Sequence, residues 1–366
     1  MERNYSIDFI KYFATLFVVA IHANPTNDEF FQSVKETPLD IVVDTFARFA
    51  VPFFFIVSGY LFTQKLKMTP NPFAYFKKYT LNITKLYICW YTFYLCFGVL
   101  LRLFQESGTW ADRKADALNY ATSALALEKI FYYCETTSHG FNGFQLWYLI
   151  ALIWCIGIVY IFFKMKRISL LLVLSLFLYI IGLFGQSYSV FFNISFETRD
   201  ALFFGLFYTV LGSFFSYYYE SIKARSSARP SIYLLLFLLF SCLEVAERFL
   251  LVNILGGHKG DYFISTIFLS ISLFLFVLNS PKLGKDINLS KIGKNSVGIY
   301  IVHVGVLFET YKILLSLNKP FFTNSVVDYF IITPIVFIIS YFVYRLLQVL
   351  KKYLYLIPNG FNKKTT

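Results

Sequence analysis

The chain has 366 residues, of which 57% are hydrophobic and only 15% are charged, and it contains 45 Phe and 28 Tyr. Soluble domains carry about 25% charged residues, so this composition indicates a protein whose solvent is the lipid bilayer. It excludes a disordered chain, a coiled coil and a disulfide-rich secreted domain. The 33 Lys and Arg exceed the 21 Asp and Glu and give a net charge of +12. In a membrane protein such a surplus reflects basic cytoplasmic loops, and we expect no nucleic-acid partner.

About ten runs of mainly apolar residues are long enough, at roughly 20 residues each, to cross a bilayer as helices. In chain order they cover residues 6–23, 41–62, 80–101, 146–163, 168–184, 201–219, 232–251, 262–278, 296–317 and 329–350. The first run contains Asp8 and Lys11 and ends in His22 without a small-residue cleavage site, so we interpret it as a retained helix. The sequence therefore predicts an all-α integral membrane protein, a bundle of about ten transmembrane helices.

Positive charge alternates along the loops between these runs. The loops after the second, fourth, sixth and eighth runs each hold several Lys or Arg residues, whereas the alternate short loops hold one each. Because basic residues concentrate on the cytoplasmic side, we expect both termini in the cytoplasm. The long segment 102–144 then lies outside, and we predict one short helix within it near residues 115–130.

The chain 1–366 is predicted to form a single membrane domain, because no linker, low-complexity tract or internal repeat divides it. It ends soon after the tenth run, so we expect no appended domain. The five Cys are odd in number and no C-x-x-C motif occurs, so neither a disulfide framework nor a zinc site is supported.

Charged side chains at membrane depth are costly, and by default they mark functional cavities. In the first run Asp8, Lys11, Thr15 and His22 share one helical face. Lys11 and His22 are separated by about three turns, roughly 16 Å along the helix axis. The structural alternative is an Asp8–Lys11 pair at the interface, with His22 extending toward the outer surface.

The second run holds Asp44 and Arg48 at the spacing of a helical ion pair. Pro52 lacks the backbone N–H that would bond the Arg48 carbonyl, so we expect a kink there. A kink beside an intramembrane arginine indicates a ligand pocket, although a purely structural ion pair explains the spacing equally well.

Further charged or polar groups enter other runs. They are Lys85 in the third, Arg199 and Asp200 opening the sixth, Glu244, Glu247 and Arg248 in the seventh, and Ser296, Tyr300 and His303 in the ninth. The histidine of the first run and the charged pairs of the second and seventh are expected at similar depths in the outer half of the membrane. This arrangement favours a cavity that is open to the outside.

The chemistry of such a cavity stays open at this point. The sequence has no H-E-x-x-H, G-x-S-x-G or Walker motif, and four scattered His do not suggest a metal site. A histidine with carboxylates and arginines suits proton transfer to or from a hydroxyl, with a cation holding an oxyanion or phosphate. It suits a proton-coupled transporter equally well.

Five sequence blocks, in order along residues 5–350, resemble the membrane acyltransferase-3 family of integral membrane O-acyltransferases that modify surface polysaccharides. They are SIDFIK (6–11) with His22, RFAVPFFFIVSGY (48–60), LWYL (146–149), TRDALFFG (198–205) and IGKNSVGIYIVH (292–303). The first resembles the Arg/Lys-x10-His signature of that family. Lys11 stands where arginine is more usual, which retains the charge but loses the planar fork.

The resemblance implies transfer of an acyl group, with acetyl expected, from cytoplasmic acyl-CoA such as acetyl-CoA or succinyl-CoA. The implied acceptor is a hydroxyl of a cell-surface glycan or its lipid-linked precursor. The implied location is the bacterial cytoplasmic (inner) membrane, in contact with its lipids. No metal is expected. His22 is implied to be the general base or a transient acyl carrier. The other implied site residues are Arg48, Glu244 and Asp44 for catalysis, Lys11, Asp8, Ser58, Tyr300, His303 and Lys85 at acyl-CoA, and Trp147, Tyr148 and Arg199 at the acceptor.

Two other functions use the same intramembrane charges. One is a transporter or exporter of a small hydroxylated or amino-acid substrate, and the other is a polysaccharide flippase. An inverted repeat would have favoured transport, and the sequence shows none. Consumption of acyl-CoA that depends on a glycan acceptor separates transfer from both.

Overall fold

The computed structural model describes residues 4–23, 36–104, 108–131, 143–194, 196–225, 229–316 and 324–356. These residues contain helices and no strand, which confirms the predicted all-α class for this part of the chain. The α-helices are α1 (Tyr5–His22), α2 (Pro38–Ala47), α3 (Ala50–Met68), α4 (Pro72–Leu103), α5 (Trp110–Ala124), α6 (Leu127–Phe131), α7 (Trp147–Lys164), α8 (Ile168–Leu183), α9 (Leu206–Tyr217), α10 (Tyr219–Arg225), α11 (Pro230–Arg248), α12 (Ile264–Asn279), α13 (Asn288–Gly293), α14 (Ser296–Ser316), α15 (Ser325–Val327) and α16 (Thr333–Leu356).

Within the described ranges, six helical segments are long and apolar enough to cross a membrane. They are Tyr5–His22, Pro38–Met68, Pro72–Leu103, Phe144–Lys164, Ser296–Leu314 and Ser325–Lys352. Three shorter apolar helices accompany them, Ile168–Leu183, Ala201–Tyr217 and Ile264–Asn279. The count of about ten spans and the cytoplasmic position of both termini stay predictions.

The second predicted span is broken near its middle. Helix α2 ends at Ala47 and α3 begins at Ala50, so Arg48 and Phe49 form the break. The backbone N–H of Phe53 donates to the Phe49 carbonyl at 3.0 Å, so regular pairing resumes directly after Pro52. Since Pro52 has no N–H for the Arg48 carbonyl, the predicted kink is confirmed, and it lies at the arginine itself.

Three segments wind as π-helix, in which the backbone hydrogen bonds join residues five apart instead of four. They are Ala201–Gly205, Phe249–Ile254 and Asp328–Ile332. Asp200 caps the first, Arg248 directly precedes the second and Asp328 begins the third. Such wider turns occur often at functional sites, and here each adjoins a buried charged side chain.

Helices α3 and α9 pack with almost no space between their backbones. A Cβ atom added at Gly59 would overlap the Thr209 carbonyl oxygen, and one at Gly212 would overlap the Ile56 carbonyl oxygen. Small residues allow this approach between helices in a membrane. The pair fixes α3, and therefore the break at its N-terminal end, against the rest of the bundle.

The long segment 102–144 differs from its prediction. Instead of one helix near residues 115–130, the structure has α5 and α6, and residues 132–142 lie outside the described part of the chain. Helix α5 starts early because Thr109 caps it, and the hydroxyl and backbone N–H of Thr109 hold the pKa of Asp112 below its usual range. Arg102 of α4 lies 3.8 Å from the ring centre of Tyr120, which docks α5 onto the membrane helix.

Candidate active site

Charged side chains from four parts of the fold join into one chain of alternating sign, which we call the ion-pair chain. It consists of Arg199, Asp261, Arg48, Asp44, Arg248, Glu36 and Lys259. Each neighbouring pair is in salt-bridge contact, for example Arg199 Nη1 to Asp261 Oδ2 at 2.7 Å and Arg48 Nη2 to Asp44 Oδ1 at 2.8 Å. The chain begins and ends with a cation, Arg199 and Lys259.

The middle of the ion-pair chain is buried. Asp44 and Arg248 are each 1% exposed, and Arg248 Nη1 donates to Asp44 Oδ2 at 2.8 Å and to the Thr45 hydroxyl at 3.0 Å. The break after α2 turns Arg48 toward both Asp44 and Asp261. Buried charges of this kind persist only when they are paired, and here each guanidinium has at least one carboxylate.

Asp261 was missed by sequence reasoning, although it joins Arg48 to Arg199. It lies in the short loop between α11 and α12, where its backbone N–H donates to Gln186 Oε1 at 2.9 Å. No helical spacing relates it to either arginine, so periodicity carries no signal for it. The glycines just before it, in the sequence GGHKGD, mark only a turn.

His22, at the end of α1, lies against His303 of α14. Their ring centres are 5.3 Å apart, and the Phe144 ring lies 4.9 Å from His22 on another side. The charges of Arg199 and Arg48 interact electrostatically with His22, so this histidine lies within reach of the ion-pair chain. The family resemblance implied a catalytic role for His22 and an acyl-CoA contact for His303, and the structure brings the two rings together.

Gln145 connects the segment before α7 to α14 and was also missed. Its side-chain amide donates to the Ile301 carbonyl at 2.8 Å, and the Tyr300 hydroxyl donates to the Gln145 carbonyl at 2.6 Å. Gln145 Oε1 is buried and has no hydrogen-bond partner among the described residues. Its position directly before the LWYL block was the available signal.

The residues predicted for the two substrates also contact one another. Tyr148 Oη lies 3.0 Å from Ser58 Oγ, and the Tyr148 ring centre is 5.7 Å from that of Tyr300. The Arg199 guanidinium lies 5.3 Å from the Trp147 ring centre. Tyr148, predicted for the acceptor, is therefore in contact with Ser58 and Tyr300, predicted for acyl-CoA.

Glu244, predicted for catalysis, has a different partner from the one its helical spacing suggested. Glu244 does not pair with Arg248 as its spacing suggested, because its Oε1 accepts from the Thr266 hydroxyl while Arg248 turns to Asp44. Glu244 is fully buried and interacts electrostatically with Arg48 and Asp44.

The residues predicted toward the cytoplasm are separate from this cluster. Lys11 interacts electrostatically with Asp8 on the same helix, and its carbonyl accepts from the Thr15 hydroxyl at 2.7 Å. Lys85 is exposed on α4 and takes no part in the contacts described above. In the described ranges no group of three or more His, Cys, Asp or Glu is arranged to hold a metal ion.

A sequence profile described as an acyltransferase domain matches residues 4–345. The chain belongs to the membrane acyltransferase-3 family. It is also similar to two proteins named amino-acid racemase from Enterococcus faecalis. One is 28% identical over 361 residues, which cover 93% of this chain and 46% of that protein. The other is 28% identical over 232 residues, which cover 59% of this chain and 28% of that protein.

The chain thus spans less than half the length of these curated relatives. No solved structure matches it. For an acyltransferase-3 protein, two adjacent imidazoles beside guanidinium groups are a suitable arrangement. The imidazoles are able to move protons, and the guanidinium groups are able to stabilise the negative charge that develops on an acyl oxygen.

Proposed function

We propose that this acyltransferase-3 protein transfers an acyl group, acetyl in our expectation, from cytoplasmic acyl-CoA to a hydroxyl of a cell-surface glycan or its lipid-linked precursor. The observation that carries the proposal is the ring contact of His22 with His303, together with the electrostatic interaction of His22 with Arg48 and Arg199. Membership of the acyltransferase-3 family supports the reaction class.

In this proposal His22 acts at the reacting carbonyl, either as general base toward the acceptor hydroxyl or as transient carrier of the acyl group. Arg48 and Arg199 stabilise the oxyanion through their guanidinium groups. Asp44 orients Arg48 through two hydrogen bonds of 2.8 and 2.9 Å, and Glu244 tunes the same arginine from the side.

The substrates approach from opposite sides of the bilayer. Acyl-CoA enters from the cytoplasm, where Lys11, Asp8 and Lys85 contact it, and its thioester passes Ser58 and Tyr300 on the way to His22. Trp147 and Tyr148 present aromatic faces to the sugar from the other side, with Arg199 above Trp147. We place the protein in the bacterial cytoplasmic membrane, among its lipids, with both termini inside.

A second candidate function is transport of an amino acid. The specific observation in its favour is that the similar proteins are named amino-acid racemases, so they act on amino acids. Buried intramembrane charges suit a zwitterion as well as an oxyanion. Transport would occur without consumption of acyl-CoA, and this difference separates the two functions.

The decisive experiment compares surface glycans from cells with the gene deleted, complemented, and complemented with His22→Ala. We expect mass spectrometry to show a fixed mass difference that mild alkali removes, lost on deletion and not restored by His22→Ala. The size of the difference names the acyl group. We expect His22→Ala to be inactive because it removes the base or acyl carrier, and we expect it to fold because it alters no buried ion pair.

The matched control is His258→Ala, since His258 is exposed in the loop before Asp261. This variant should restore the ester in full, and membrane extracts should contain all variants in equal amounts. Identical glycans in every strain would reject glycan acylation and favour transport, which uptake of labelled amino acids would then measure.

A further inference from the structure

The two histidines of the site differ in their hydrogen bonding. His303 Nδ1 lies 2.5 Å from the Tyr300 carbonyl oxygen, which only accepts hydrogen bonds, so Nδ1 must carry a proton. His303 is fully buried with no carboxylate bonded to its ring among the described residues, and an imidazolium there would be costly. The ring is therefore neutral, and its Nε2 holds a lone pair.

The environment of this Nε2 lone pair is the feature on which the inference depends. His303 Nε2 is buried and has no hydrogen-bond partner in the part of the chain that the structure describes. Most buried side-chain nitrogens in folded proteins are hydrogen-bonded, because an unmet buried polar group costs about 1–3 kcal/mol. A basic nitrogen left open beside the His22 ring, with 5.3 Å between ring centres, is arranged to receive a proton during the reaction.

We propose that His303 is a second catalytic residue, a base whose Nε2 moves protons while His22 carries the acyl group. This inference rests on the proposed acyl transfer and divides its chemistry between two imidazoles. It differs from the sequence expectation, in which His303 contacts acyl-CoA.

The division balances in two steps. First, the bare nitrogen of His22 bonds the acyl carbon as the C–S bond breaks. The proton on the other His22 nitrogen passes through His303 Nε2 to the departing thiolate. Second, the acceptor oxygen bonds the acyl carbon and the C–N bond breaks. The hydroxyl proton passes through His303 Nε2 to His22, so both rings return to their starting state.

The test uses purified full-length protein in lipid nanodiscs, with acetyl-CoA and a glycan extract from the deletion strain, and measures free thiol and ester. His303→Asn retains an N–H donor for the Tyr300 carbonyl, and His303→Gln places an amide near the former Nε2. Neither side chain is basic. We expect kcat to fall by about 100-fold or more in both, with KM for acetyl-CoA nearly unchanged. The control His258→Asn should match wild type.

A chemical rescue separates the base from a structural role. His303→Ala leaves space for a small base, and added imidazole should recover part of the lost kcat, whereas His303→Gln should gain nothing, because its side chain fills that space. The inference is overturned if His303→Asn retains kcat within about threefold of wild type, or if KM rises while kcat is unchanged. A wild-type protein that makes no donor-dependent ester overturns the proposed function and this inference together.

Discussion

Asp44 is the carboxylate that holds the centre of the ion-pair chain, since it bonds both Arg48 and Arg248 and is only 1% exposed. Asp44→Ala would leave two buried guanidinium groups without their shared partner. Removing one member of a buried ion pair costs about 3–5 kcal/mol. We expect the free energy of unfolding to fall by about that amount, measured by denaturant titration of the purified protein in micelles.

The control for this substitution is Asp116→Ala. Asp116 lies 3.7 Å from Arg102 and its side chain is 50% exposed, so its loss should cost less than about 1 kcal/mol. Equal effects of the two substitutions would show that Asp44 contributes no more than a surface charge.

For single residues, the sequence predicted which charged side chains lie within the membrane helices, but not which distant residues they pair with. Asp44 and Arg48 were predictable as a pair because four residues separate them on one helix. The same rule suggested Glu244 with Arg248, yet Arg248 pairs with Asp44, a partner far away in the sequence. Tertiary packing decides between such options, and a single sequence does not contain that information.

Between elements, the tightest constraint is the contact of α3 with α9. Gly212→Ala should lower the unfolding temperature strongly and reduce the amount of protein in the membrane, because its Cβ would meet the Ile56 backbone, which has no freedom to move aside. Gly157→Ala is the matched control, since nothing lies within 4 Å of a Cβ at that position. It should be neutral or stabilising by up to about 1 kcal/mol.

Thermal unfolding followed by circular dichroism measures both variants. Similar unfolding temperatures for Gly212→Ala and Gly157→Ala would contradict the close approach of the two backbones.

Element boundaries were predictable where apolar runs coincide with helices, and less so elsewhere. The third run was predicted at 80–101, but α4 begins at Pro72, because Asn71 caps it and the helix continues through Lys77 and Lys78, which had set the start of the apolar run. The second run was one stretch by composition, and only Pro52 indicated that it would break. The π segments were not foreseen, since no local sequence rule marks them.

For the whole molecule, the predicted orientation gives a direct test. Lys114 on α5 and Lys166 after α7 are both exposed, and the loop charges place them on opposite sides of the membrane. In a cysteine-free background, a membrane-impermeant maleimide should label Lys114→Cys in intact spheroplasts and Lys166→Cys only after permeabilisation. Labelling of Lys166→Cys in intact spheroplasts would reverse the topology.

Amino-acid composition was most informative about the properties of the whole molecule. The membrane class and helical fold follow from apolar content alone, because a bilayer leaves few ways to satisfy the backbone. The number of spans is harder to predict, because three of the apolar helices are too short to cross a bilayer fully. Short helices packed inside a bundle and helices that cross it have the same composition.

The alternating order of the ion-pair chain constrains how this protein is able to evolve. Each inner member bonds two neighbours of opposite charge, so one substitution leaves two partners unmatched where no other charge compensates. Positions 44, 48, 248 and 261 are therefore expected to change in concert between diverging lineages, through paired replacements, while neighbouring apolar positions drift one at a time.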